Sequence, residues 1–157
     1  MIVALLLMIL VSHNEARDIQ KVFSPTLQPE GDGASVRRII GTYELRDLDP
    51  FLMLDHFYVK LPSGFPDHPH RGFETVTYMI KGEVFHEDFK GNFGVLGPGD
   101  LQWMTAGRGI VHAEMPGSFE QTSEGFQLWI NLPQKDKFCE PEYQEIKKEN
   151  VTISNQG

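Results

Sequence analysis

Two short runs place metal-ligating side chains at the spacing of a β-strand. The first is Asp67-His68-Pro69-His70-Arg71-Gly72-Phe73-Glu74, and the second is Gly107-Arg108-Gly109-Ile110-Val111-His112-Ala113-Glu114-Met115-Pro116. Successive strand residues alternate faces, so positions i and i+2 point the same way, roughly 6–7 Å apart. His68 and His70 can therefore look into one space, and so can His112 and Glu114. If the two strands face one another across a small barrel, three imidazoles and one carboxylate converge. That donor set suits a first-row divalent metal and leaves coordination positions open for chemistry. Pro69 has no N–H, so its strand cannot be an ordinary central ladder strand. Its fixed φ also pre-sets the two imidazole directions. Glu74 is the rival carboxylate. It shares the strand parity of His70 but lies about 13 Å further along a straight strand. Only a bend at Arg71-Gly72 brings it to a metal; otherwise it can orient an imidazole N–H from outside.

Nothing else in the chain competes as a catalytic centre. Cys139 is the single cysteine and sits between Phe138 and Glu140, a poor setting for a nucleophilic thiolate. Neither a G-x-S-x-G elbow nor a P-loop is present. His56 and His86 fit structural or outer-sphere roles, and His13 a solvated one. Arg37 and Arg38 point to opposite faces of a strand and make a weak contact patch. Trp103, Trp129 and the phenylalanines belong to the core, with one or two free to line a pocket above a metal.

The elements that must position the two runs are short strands and turns. Val36–Ile40 is expected to be the first strand, and Phe51–Val59 a buried one. Phe73–Ile80 is β-branched and aromatic, while Glu83–Phe89 alternates with Val84, His86 and Asp88 on one face. Lys90-Gly91-Asn92 and Gly97-Pro98-Gly99-Asp100 are tight turns. Leu101–Thr105 follows, then the Gly-rich turn that delivers His112 and Glu114. In Gly125–Leu132 the alternation predicts Phe126, Leu128, Ile130 and Leu132 on the core face. An edge strand is expected around Tyr143–Ile146. No window holds helical periodicity between caps, so the fold class is all-β, a sandwich or barrel.

Length and charge bound the rest. A chain of 157 residues is one domain's worth, large enough for a core without staples. The net charge is −8, from 22 acidic against 14 basic side chains, which argues against direct nucleic-acid binding. One cysteine permits no intrachain disulfide and requires no oxidising compartment. Residues 1–17 form an apolar leader. Its Ile2–Val11 run is too short for a membrane span of about 20 residues but suits a signal-peptide core. No basic residue precedes it and the following segment is a poor cleavage site, so an upstream extension is the equal alternative. Residues 18–35 are expected to be an irregular lead-in, 36–146 the folded domain and 147–157 a tail. Asn150-Val151-Thr152 is a glycosylation sequon, a triplet common by chance.

With these residues in view, the chain resembles the pirin family of the cupin superfamily. The resemblance is carried by Asp49–Leu52, Asp67–Val76, Pro98–Gly109, His112–Pro116 and Glu140–Glu145, and it spans about Val36 to Tyr143. It implies a double-stranded β-helix, or jelly-roll barrel, as a single domain. It also implies a non-haem iron, Fe(II), on residues matching His68, His70, His112 and Glu114, other divalent transition metals being accepted too. Pirins are reported to include quercetin/flavonol 2,3-dioxygenases, for which Glu114 would be the catalytic base. They also include nuclear proteins that assist transcription factors as iron redox sensors, and a plant relative linked to a G-protein α subunit. Cytoplasm or nucleus is the implied location, with a secretory route if residues 1–11 act as a signal. Pirins are normally two tandem barrels with metal in the first. The resemblance therefore implies the metal domain of a truncated form, inactive or exposing the face of the missing barrel for a homodimer.

Overall fold

The computed structural model describes residues 19–46 and 48–152. The apolar leader, His13 and the last five residues of the tail lie outside them. Eleven strands follow in chain order: β1 (Leu27–Glu30), β2 (Ala34–Ile40), β3 (Phe51–Val59), β4 (Phe65–His70), β5 (Phe73–Lys81), β6 (Val84–Asp88), β7 (Phe93–Leu96), β8 (Leu101–Thr105), β9 (Ile110–Pro116), β10 (Ser123–Asn131) and β11 (Glu142–Ile146). Two short 3-10 turns, Gln134–Asp136 and Lys148–Asn150, are the helical elements.

The strands form two antiparallel sheets. The larger has the order β1-β2-β3-β10-β5-β8-β11, and the smaller has the order β4-β9-β6-β7. They close on one another as a cupin-type jelly roll, an all-β single domain. β1 lies within the stretch expected to be irregular lead-in. Its four residues carry little strand pattern, and pairing with β2, from Leu27 opposite Arg37 to Glu30 opposite Ala34, holds them. β2 begins two residues earlier than Val36.

The inner face of the larger sheet is layered. One apolar row runs through Val36, Phe57, Gly125 and Met79, which are cross-strand neighbours in register. With Ala34, Val59, Val84 and Leu96, the side chains of Val36, Phe57 and Met79 make the main core. Another row runs through Met53, Trp129, Thr75, Met104 and Tyr143. Between them lies a polar row, Arg38, Asp55, Gln127, Thr77, Gln102 and Glu145, one residue from each of six adjacent strands. Asp55, Thr77 and Gln102 of this row are buried, and the row lies opposite His112 and Glu114.

The polar row corrects one expectation. On β10 the residues that face the interior are Gly125, Gln127 and Trp129, the last two lining the site cavity. Phe126, Leu128 and Ile130 lie on the other face of the sheet and are half-buried, while Leu132, just beyond the strand, is buried. Alternation marks the more apolar face, and here the face turned to the site is the more polar one.

Candidate metal centre

β4 and β9 pair antiparallel, and His68 stands directly opposite His112. β4 is an edge strand of the smaller sheet. That is where Pro66 and Pro69, lacking N–H groups, are tolerated. A register shift between Phe65 and His68 bends the strand and helps aim its histidines. β9 is launched by the turn after β8. Gly107 has φ +50°, and a Cβ there would strike the Cys139 carbonyl. Gly107 accepts from the Gly72 N–H at 2.7 Å, and the Arg108 N–H donates to Cys139 O at 2.9 Å. The turn thus ties the start of β9 to the end of β4.

Three imidazoles converge. Ring centroids are 4.5 Å apart for His68 and His112, 4.7 Å for His68 and His70, and 4.9 Å for His70 and His112. One ring nitrogen from each lies within 4.8 Å of the others. The Nδ1–H of His68 donates to the Pro66 carbonyl at 2.8 Å, which fixes the tautomer and leaves Nε2 with its lone pair. Both ring nitrogens of His70 and of His112 are buried without a hydrogen-bond partner among the described residues. Buried imidazoles are ordinarily paired, so this arrangement fits a metal ion that takes their lone pairs.

Burial keeps the His70 and His112 rings neutral. Burial, helped by neighbouring His112 and His68, pushes the His70 imidazole down to about 3. Burial also lowers His112, outweighing the pull of Glu114. Neutral imidazoles are the form a metal binds.

Glu114 lies two residues beyond His112 on the same face of β9 and is buried. Its Oε2 accepts from Gln127 Nε2 at 2.9 Å, and its Oε1 accepts from the Thr77 hydroxyl at 3.3 Å. Burial opposes its ionisation, but the Gln127 hydrogen bond helps hold it below the usual carboxylate range. It borders the three-imidazole cluster as a carboxylate held in place by two donors from the opposite sheet. Glu74 lies elsewhere. It is on the face of β5 opposite to Thr77 and accepts from the Thr105 hydroxyl at 2.7 Å.

A cavity of about 590 Å³ opens over His68 and His70, in the range of small-molecule sites. Trp129 and Phe73 stack with centroids 4.6 Å apart, and each packs edge-on against His70 at 5.2 Å. Of the two tryptophans, Trp129 lines the cavity. Arg38, Asp55 and Glu30 form its side wall. The guanidinium donates to both Asp55 oxygens, at 2.9 and 2.7 Å, and to Glu30 at 2.7 Å. Arg37 turns outward to the Pro25 carbonyl. Sequence reasoning missed Gln127, Thr77, Asp55 and Glu30. The inward parity of Arg38 was the one available hint. His86 sits behind the centre, in register with Glu114, and pairs through Nε2 with Glu145 at 2.5 Å. His56 faces away, bonded to Glu124 at 2.8 Å and Tyr58 at 3.1 Å.

The family model for pirin matches residues 33–130. The chain belongs to the pirin family. A pirin-like protein of Solanum lycopersicum is 63% identical over 124 residues, 79% of this chain and 42% of the relative. Among solved structures, quercetin 2,3-dioxygenase from Acinetobacter baumannii superimposes with a TM-score of 0.72 at 34% identity, covering 85% of this chain and 51% of that one. The bacterial pirin YhhW of Escherichia coli, in complex with nickel(II), gives a TM-score of 0.67 at 25% identity, covering 78% and 54%. The chain thus spans less than half the length of the curated relatives it matches. It is a cupin of the pirin family carrying a three-histidine cluster of the type that holds a divalent metal. Among the described residues no helix is long and apolar enough to cross a membrane.

Proposed function

We propose that this chain is a pirin-type non-haem iron protein that holds Fe(II) on His68, His70, His112 and Glu114 and oxygenates a flavonol such as quercetin. The observation that carries the reading is the set of partnerless, buried ring nitrogens on His70 and His112, clustered with the free Nε2 of His68. Similarity to a quercetin 2,3-dioxygenase supports the reaction class, and similarity to a nickel-bound pirin supports a divalent ion.

A ferrous ion on these residues would supply the redox chemistry with O₂ and a chelation point for the 3-hydroxyl and 4-carbonyl oxygens of a flavonol. The chain's residues do the rest. Trp129, Phe57, Phe65 and the other apolar walls exclude water and orient a planar ring system. Glu114 accepts the proton of the chelating hydroxyl at Oε1, the oxygen with the longer and weaker hydrogen bond. Gln127 keeps that carboxylate aimed as it takes up the proton.

The test is anaerobic loading with Fe(II), followed by O₂ uptake with quercetin present and metal analysis on the same sample. Stoichiometric iron with quercetin-dependent uptake is expected. His112→Ala should lose both iron and turnover, and Glu114→Gln should lower turnover by at least about a hundredfold. A variant that loses its iron yet turns over at the full rate would sink the reading.

A further inference from the structure

The cavity over the imidazoles is strongly biased in charge. Five carboxylates line it, from Glu30, Asp32, Asp55, Asp67 and Glu114, against one guanidinium, that of Arg38. They stand in two tiers. Asp55 and Glu114 are buried at depth. Asp32 and Asp67 are exposed at the mouth, with the Glu30 side chain 39% exposed beside them. The guanidinium is already engaged by both oxygens of Asp55 and by Glu30, so its charge is offset before any ligand arrives. The same cavity contains His70, whose buried ring nitrogens have no partner and mark where a ligand-bearing centre sits. Even a divalent cation on the imidazoles leaves the lining net negative.

Apolar residues fill the space between the carboxylates, among them Met53, Phe57, Phe65, Val84 and Trp129. Low-dielectric walls strengthen the field of the charges they separate. Asp32 and Asp67 line the cavity themselves, so a ligand inside it meets their field directly, screened only by salt. An anion entering here loses hydration and finds no unengaged cation on the lining to replace it.

We infer that this cavity selects its ligands by charge, taking planar aromatic chelators that arrive neutral or cationic and rejecting those that carry a carboxylate or sulfate. The inference rests on the reading of the three imidazoles and Glu114 as a ligand-accepting metal centre. It goes beyond that reading by excluding acidic phenolics as a class.

Three probes that share one chelating diol separate the cases: dopamine, catechol and 3,4-dihydroxybenzoate, cationic, neutral and anionic near neutral pH. Each is titrated calorimetrically into the nickel-loaded full chain. Affinity should fall in that order, with the benzoate weaker than catechol by about tenfold or more. Raising the salt to about 0.5 M should narrow the gap. So should the double variant Asp32→Asn/Asp67→Asn, in which both changed side chains are exposed and the fold is not at stake. The inference is overturned if the benzoate binds as tightly as catechol, or if the gap ignores both salt and the double variant. If the chain holds stoichiometric nickel yet binds none of the three, the chelation reading falls, and the charge filter falls with it.

Discussion

At the scale of the residue, the centre depends on keeping buried imidazoles unprotonated. His70 carries this most visibly, since burial and its two histidine neighbours lower its pKa to about 3. In the unfolded chain it returns to an ordinary value near 6.5. Between those values the unfolded state binds a proton that the folded state refuses, so stability falls as the pH is lowered through the window. Above about 6.5 the contribution is fully present; below about 3 it is lost. His112 is shifted in the same direction by its burial and adds to the trend. Urea unfolding of the metal-free chain should therefore show the midpoint decreasing steadily from pH 7 to pH 4. In His70→Leu, where position 70 no longer titrates, the slope should be shallower. An equal slope in that variant would remove His70 from the account. Glu114 shows the complementary logic, because its charge survives burial through the Gln127 hydrogen bond.

At the scale of the element, the site is made by register, and register explains what the sequence could and could not reveal. The i, i+2 spacing of His68 and His70, and of His112 and Glu114, was legible because alternation is a local property of a strand. So were most strand limits, since Gly and Pro punctuate them. Gln127, Thr77, Asp55 and Arg38 were not legible as site residues. They come from four other strands, and only cross-strand pairing places them in one row. The reversed face of β10 has the same origin, since its polar face looks inward at the centre. Gly94 on β7 shows how tightly this layer is fitted. A Cβ there would collide with His86 Nε2 and Glu145 Oε1, the two atoms of a pair that stands behind Glu114. Gly94→Ala should push the pair apart and leave a buried imidazole unsatisfied. The expected destabilisation is about 1–3 kcal/mol, or roughly 3–10 °C in Tm for a domain of this size. Differential scanning calorimetry measures it. An unchanged Tm would mean that the pair is free to move and does not brace the layer.

At the scale of the whole molecule, the centre joins the two sheets. All four proposed ligands come from β4 and β9 of the smaller sheet, whereas the donors that hold Glu114, Gln127 and Thr77, belong to the larger one. Unfolding scatters the ligands along a chain in which His68 and His112 are far apart in sequence, so a metal should bind the folded state alone. Such binding stabilises by mass action, about 2.7 kcal/mol when free metal is a hundred times its Kd. For a domain of this size that corresponds to a rise of roughly 5–10 °C in Tm. Nickel(II) added to the metal-free chain should produce this rise, and a chelator should reverse it. His112→Ala removes one of three imidazoles and should abolish most of the shift. Glu114→Gln keeps all three imidazoles and should retain part of it while losing turnover. The two variants therefore separate loss of an imidazole ligand, which releases the metal, from loss of the Glu114 charge, which weakens the hold and stops the proton transfer. An equal shift in wild type and His112→Ala would place nickel elsewhere on this acidic surface and leave the cluster without its proposed occupant.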